Sequence, residues 1–119
     1  TETWSICSDK LIYSSSGENM VPLYQNFGKQ KSGFKVLVYS GDIDIATVPF
    51  STTNPCLNQV SSNIVTPWQP WFVNGNTAGY LTSVQNLRLL VLRNASHMVP
   101  RSVPDVAADY FNKFIQGVL

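Results

Sequence analysis

The amino-acid sequence predicts an α/β fold. Two apolar runs carry that expectation, Phe34-Lys35-Val36-Leu37-Val38-Tyr39-Ser40-Gly41 and Leu87-Arg88-Leu89-Leu90-Val91-Leu92. Each has too little polar alternation for a strand with one wet face, and reads as buried on both faces, as in a parallel sheet. A third observation is the helical spacing of Ala107, Tyr110, Phe111, Phe114 and Val118 near the C-terminus, which gives one apolar face. Helices beside such strands make a layered α/β domain rather than a sandwich.

Taken in order, residues 4–16 are mixed and polar, and Ser14-Ser15-Ser16 reads as loop. Val21-Pro22-Leu23-Tyr24-Gln25-Asn26-Phe27 reads as a short helix, with Pro22 suited to the first turn and Gly28 to the stop. The first strand follows and ends at Gly41. Residues 50–66 are rich in Ser, Thr and Asn, contain Pro55, and read as irregular. Asn74-Gly75-Asn76 is a tight-turn signal between Pro70-Trp71-Phe72-Val73 and Thr77-Ala78-Gly79-Tyr80-Leu81-Thr82, which predicts a hairpin with a further turn at Gln85-Asn86. The second buried strand leads into Asn94-Ala95-Ser96-His97. In the last helix Ser102 is placed to cap, Pro104 lies near the first turn, Asp105 favours the positive helix end, and Gly117 is the stop. No internal repeat or linker divides residues 1–119, a length of about one domain and enough to bury a core.

Composition narrows the function classes. The net charge is +1, and no stretch concentrates Lys or Arg, which argues against a nucleic-acid footprint or a polybasic membrane patch. No apolar run reaches the ~18 residues of a membrane-spanning helix. Charged residues are 13% of the chain, against about 25% in typical domains. That shortfall fits either a small, neutral, extracellular-type surface or a surface buried against a second polypeptide. Thr1-Glu2-Thr3-Trp4 lacks an initiator Met and reads as the start of a processed chain rather than a signal peptide. Cys7 and Cys56 match no metal-ligand spacing; they could pair, remain free thiols or bridge to another chain.

One constellation points to chemistry. His97 is the sole histidine and follows the second buried strand; Asp42 and Asp44 follow the first. In parallel α/β sheets, ligands and catalysis sit beyond the carboxyl ends of the strands, so these residues share one edge. A carboxylate that accepts from one imidazole nitrogen fixes the tautomer and leaves the other as a base. The plainer alternatives are a structural His97 and two aspartates that cap turns.

Four collinear stretches give the chain a family resemblance. Trp4-Ser5-Ile6-Cys7-Ser8-Asp9, Val38-Tyr39-Ser40-Gly41-Asp42-Ile43-Asp44, Trp68-Gln69-Pro70-Trp71 and Ala95-Ser96-His97-Met98-Val99-Pro100 together resemble the C-terminal part of a serine carboxypeptidase, a branch of the α/β-hydrolase superfamily. The resemblance implies the last sheet strands, a hairpin and the C-terminal helix of an α/β-hydrolase domain, completed by a larger partner chain. It implies that Asp44 is the triad acid, Asp42 its supporting partner and His97 the general base. Met98 and Thr47 match positions that shape the substrate cleft. The superfamily order Ser, Asp, His puts the nucleophilic serine and oxyanion hole upstream, and this chain contains no G-x-S-x-G. The resemblance further implies a disulfide from Cys7 to the larger chain, no cofactor or metal, and a vacuolar, lysosomal or secreted setting, with a higher oligomer open. Cys56 matches no family cysteine.

The family is usually Gly-rich before the histidine, whereas here Asn94-Ala95-Ser96 also forms an N-glycosylation sequon. A glycan so near His97 would crowd the cleft, so Asn94 is expected to be unmodified. The expected activity is release of C-terminal residues from peptides. Acyltransferase and hydroxynitrile lyase variants of the same fold, and a non-catalytic stabilising subunit, are the alternatives.

Overall fold

A computed structural model describes residues 3–5, 8–29 and 34–119. They form a mixed α/β domain around one four-stranded sheet of order β1-β4-β3-β2. The strands are β1 (Val36–Gly41), β2 (Ile64–Val73), β3 (Asn76–Val84) and β4 (Leu87–Leu92), and the helices are α1 (Val21–Lys29), α2 (Phe50–Val60), α3 (Val99–Ser102) and α4 (Pro104–Gln116). The sheet is mixed: β1 and β4 run parallel, while β4 with β3 and β3 with β2 run antiparallel.

β4 explains why its sequence is almost wholly apolar. Leu87, Leu89 and Val91 pack with Val21, Leu57 and Val60 of α1 and α2. Leu90 and Leu92 turn to the other face, where Ala107 and Tyr110 of α4 join Val99 and Ala95. A strand covered on both faces has no wet side to which a polar alternation could point. β1 shares the two-faced pattern, with Val36 and Val38 against the first cluster and Leu37 against the second. The sequence read it as buried on both faces; among the described residues it is the edge strand, Val36, Leu37 and Val38 are only half-buried, and Tyr39 is exposed.

The turns follow their residues. Asn74 (φ 50°) and Gly75 (φ 78°) both occupy the left-handed region, as a two-residue hairpin of type I′ requires. Gln85 (φ 49°) opens the β3–β4 turn. The Asn86 amide donates to the carbonyls of Phe27 and Phe34, which ties that turn to α1 and to the approach to β1.

Three sequence expectations change. α1 runs past Gly28 to Lys29, its start held by the Asn19 side chain, which accepts from Val21 N–H at 3.0 Å. Much of the segment read as irregular is α2. Its first carbonyl partner is Pro49, which accepts from the Thr52 and Thr53 hydroxyls as well as from their N–H groups, and Leu57 and Val60 bury its inner face despite Pro55 within it. Ser102 ends α3 instead of capping α4, whose N-cap is Val103, with no side-chain cap. Gly117 ends α4 as expected, in the left-handed conformation (φ 77°). Cys7 lies outside the described residues; Cys56 is an exposed free thiol. Among the described residues no helix is long and apolar enough to cross a membrane, and no cluster of ligands could hold a metal ion.

Candidate active site

The parallel pairing of β1 with β4 builds the site. Gly41 is in register with Leu92, so the loops that follow the two strands leave the sheet side by side. Backbone hydrogen bonds seam them: Asp42 N–H donates to the Leu92 carbonyl at 2.9 Å, and Ile43 N–H to the Ala95 carbonyl at 3.1 Å. The contact is so close that a Cβ on Gly41 would lie 2.0 Å from the Ala95 carbonyl oxygen, so only glycine admits the histidine loop at this distance. On the β4 side Asn94 turns the chain through the left-handed region (φ 57°), which Asn tolerates better than most residues.

This junction delivers Asp44 to His97. Asp44 Oδ2 lies 3.0 Å from His97 Nδ1. The carboxylate is buried and saturated by its own loop. Oδ1 accepts from the N–H groups of Ala46 (3.2 Å) and Thr47 (3.1 Å), and Oδ2 also accepts from Val48 N–H (3.2 Å). The Thr47 N–H is the strongest influence holding the carboxyl down. Burial opposes it, His97 and the N–H groups of Ala46 and Val48 add to it, and the net is a drop from 3.8 to about 2. An ionised Asp44 can only accept, so the Nδ1 proton points to it and Nε2 carries the lone pair. The imidazole is 55% exposed, and Nε2 has no partner among the described residues.

A cavity of about 250 Å³ opens over the pair, lined by Tyr39, Ser40, Asp44, Val48 and His97. Ser40 is buried, and its hydroxyl donates to the Val48 carbonyl at 2.5 Å. That bond closes the acid loop at its base, so Ser40 holds the loop rather than facing the imidazole. Tyr39 also borders an apolar groove of about 640 Å³ with Leu37, Pro100, Pro104, Phe111 and Phe114. Below it, Tyr39 packs on Tyr110 with ring centroids 5.2 Å apart; burial, with Tyr39 adding, pushes the Tyr110 phenol well up.

The other anticipated residues scatter. The Asp42 carboxylate is exposed and makes no hydrogen bond to Asp44 or His97 among the described residues, so a direct supporting contact is absent here. Met98 stands beside His97, 47% exposed. Thr47 gives its N–H to Asp44, but its side chain lines a separate cavity of about 240 Å³ on the α1–α2 side, with Val38, Cys56 and Leu57. Trp68 stacks on Tyr80 (5.4 Å, 6° between planes) and meets Phe50 in a tilted pair at 5.0 Å, and Trp71 packs into the α4-side core under the Lys113 ammonium. Sequence reasoning missed Tyr39, Ser40 and Val48. The one available signal was Ser40, a lone hydroxyl at the end of an apolar strand.

The sequence pattern of the serine carboxypeptidase family matches residues 1–117. The chain belongs to the serine carboxypeptidase family. Among curated members, it is similar to Serine carboxypeptidase-like 32 of Arabidopsis thaliana, 31% identical over 98% of this chain and 26% of that protein. It is likewise similar to Serine carboxypeptidase-like 20 and Serine carboxypeptidase 24 of the same plant. Each is 31% identical over 96% of this chain, which covers 22% and 24% of their respective lengths. The chain therefore spans about a quarter of the family members it matches.

Proposed function

We propose that this chain supplies the acid and the base of a Ser-Asp-His triad in a serine carboxypeptidase, and that the nucleophilic serine and the oxyanion hole belong to a larger partner chain. The observation that carries the reading is the 3.0 Å contact between Asp44 Oδ2 and His97 Nδ1 at the shared edge of two parallel strands, in a chain of this family. In the proposed reaction His97 Nε2 takes the proton of the serine hydroxyl as it attacks the carbonyl of the last peptide bond. It then returns that proton to the leaving amine, and a second passage through His97 activates the water that releases the acyl group. Asp44 stays ionised throughout, holding the Nδ1 tautomer and stabilising the imidazolium.

The partner chain is supported by what this chain leaves open. β1 is an apolar strand whose outer edge is unpaired among the described residues, and the groove beside it is lined by apolar side chains. An unpaired apolar edge is a template for another strand. We place Met98, half exposed beside His97, in the wall of the substrate cleft; Thr47 acts there only through its backbone N–H, which holds Asp44. A disulfide from Cys7 to the partner and a vacuolar, lysosomal or secreted location belong to the same proposal.

Labelling the native protein with a fluorophosphonate tests it. The label should appear on a larger polypeptide that separates from this chain only on reduction. Label on this chain would overturn the half-site reading. Release of an amino acid from a blocked dipeptide, set against turnover of a cyanohydrin or transfer to an alcohol, separates peptidase from lyase and acyltransferase.

A further inference from the structure

The histidine loop carries a bracket that the proposed reaction does not use. Ser102 sits where a cap for α4 was expected, but its hydroxyl turns back to the residues on either side of His97. Ser102 Oγ lies 3.2 Å from Ser96 N, 2.8 Å from Ser96 Oγ and 3.3 Å from the Met98 carbonyl oxygen. A serine hydroxyl has one proton to donate and two lone pairs to accept with. Donating to Met98 and accepting from the N–H and O–H of Ser96 fills that capacity. One oxygen thus ties the residue before His97 to the residue after it.

The bracket matters because His97 has little else to hold it. Its ring is half exposed, and its one side-chain tether among the described residues is Asp44. Upstream, the loop is fixed at Ala95, whose carbonyl accepts from Ile43. Downstream, the Met98 carbonyl starts α3 by accepting from Arg101 and Ser102 N–H. Between these anchors only residues 96–98 are free to rotate the imidazole, and Ser102 spans them. Small displacements of a catalytic group are expensive: about 1 Å can cost on the order of a hundredfold in rate.

We propose that Ser102, acting through Ser96 and Met98, is a positioning residue for His97. The inference rests on the triad reading above and deepens it. Ser102 and Ser96 are both exposed, so their alanine variants should fold.

The test compares the complete protein with its Ser102→Ala, Ser96→Ala, double and Ser102→Thr variants on a blocked dipeptide. Ser102→Ala should lower kcat about fivefold, well short of a full misplacement, and leave KM within about twofold, because the imidazole and not the substrate contacts has moved. Ser102→Thr, which keeps the hydroxyl, should restore kcat. The double variant should be no worse than Ser102→Ala alone, since both substitutions break one unit. The proton NMR signal of His97 Nδ1–H reports the contact with Asp44 whatever the reaction catalysed. It should broaden in Ser102→Ala and recover in Ser102→Thr. An unchanged Nδ1 signal in Ser102→Ala, or a loss of kcat that Ser102→Thr does not rescue, overturns the bracket. Full activity in His97→Ala would instead overturn the triad reading, while the Nδ1 signal of the Ser102 variants still decides the bracket.

Discussion

The two loops that meet at the site are held in opposite ways. The acid loop after β1 supports itself: three of its own N–H groups converge on Asp44, and Ser40 closes its base through Val48. The histidine loop after β4 supports itself only at its margins and presents a half-exposed ring that leans on the other loop. The acid is therefore built in advance of its partner, and the base takes its orientation from the acid. In the proposed reaction Asp44, which must stay charged, is fixed and shielded, whereas His97, which would exchange protons with a substrate, is left reachable.

Substitutions can break this asymmetry, and the largest effect falls on the base. His97→Ala in the complete protein should lower kcat by on the order of 10⁶-fold. It should change the thermal midpoint little, because the half-exposed ring makes one side-chain hydrogen bond among the described residues, to Asp44, whose carboxylate keeps three N–H donors. Asp44→Asn should cost about 10⁴-fold in kcat by releasing the tautomer, and unlike His97→Ala it should also lower the thermal midpoint. An amide nitrogen would face either the N–H groups of Ala46 and Thr47 or that of Val48, donor against donor. Equal midpoints for the two variants would contradict the contrast between the loops.

Gly41→Ala attacks the seam between them. The added methyl meets the Ala95 and Ser96 carbonyls, so unfolding in denaturant should report a loss of about 1–3 kcal/mol, with kcat falling as the pair separates. A subtler test is pH. The Asp44 carboxyl titrates near 2 in the folded protein and near 4 when unfolded, so its hydrogen bonds stabilise fully above about pH 4 and that contribution disappears as pH falls through about 2. Asp44→Asn should remove this part of the stability profile. Above about pH 4 Asp44 stays ionised, so an acid limb of the rate profile in that range would not come from this carboxyl.

Much of this arrangement was legible in the sequence, for reasons that can be named. β4, the hairpin turn at Asn74-Gly75 and α4 each carry a local signal strong enough to survive without context: an apolar run, a left-handed pair, a helical stripe. Two strand ends on one sheet edge brought Asp42, Asp44 and His97 together, and the family resemblance singled out Asp44 as the partner of His97. What escaped depends on contacts distant in sequence. α2 is poor in helix formers and holds a proline, and its placement comes from Leu57 and Val60 packing under β4 and β3 rather than from propensity. β1 reads as buried on both faces because its residues suit two covered faces, but how far a strand is buried depends on what packs beside it. Ser102 looked like a cap because Ser before Pro-Asp often caps; its hydroxyl found a nearer set of partners in the loop.

The seam at Gly41 also bears on how this region of the chain can vary. Asp44 and His97 meet because β1 and β4 are neighbours in register, while the chain between them forms α2 and then the β2–β3 hairpin, which extends the sheet on the far side of β4. Length and composition between α2 and the hairpin can drift, or the hairpin tip at Asn74-Gly75 can accept an inserted peptide, without altering the distance between acid and base. The distance between Asp44 and His97 is therefore set by the register of two hydrogen-bonded strands, not by the 53 positions that separate them along the chain.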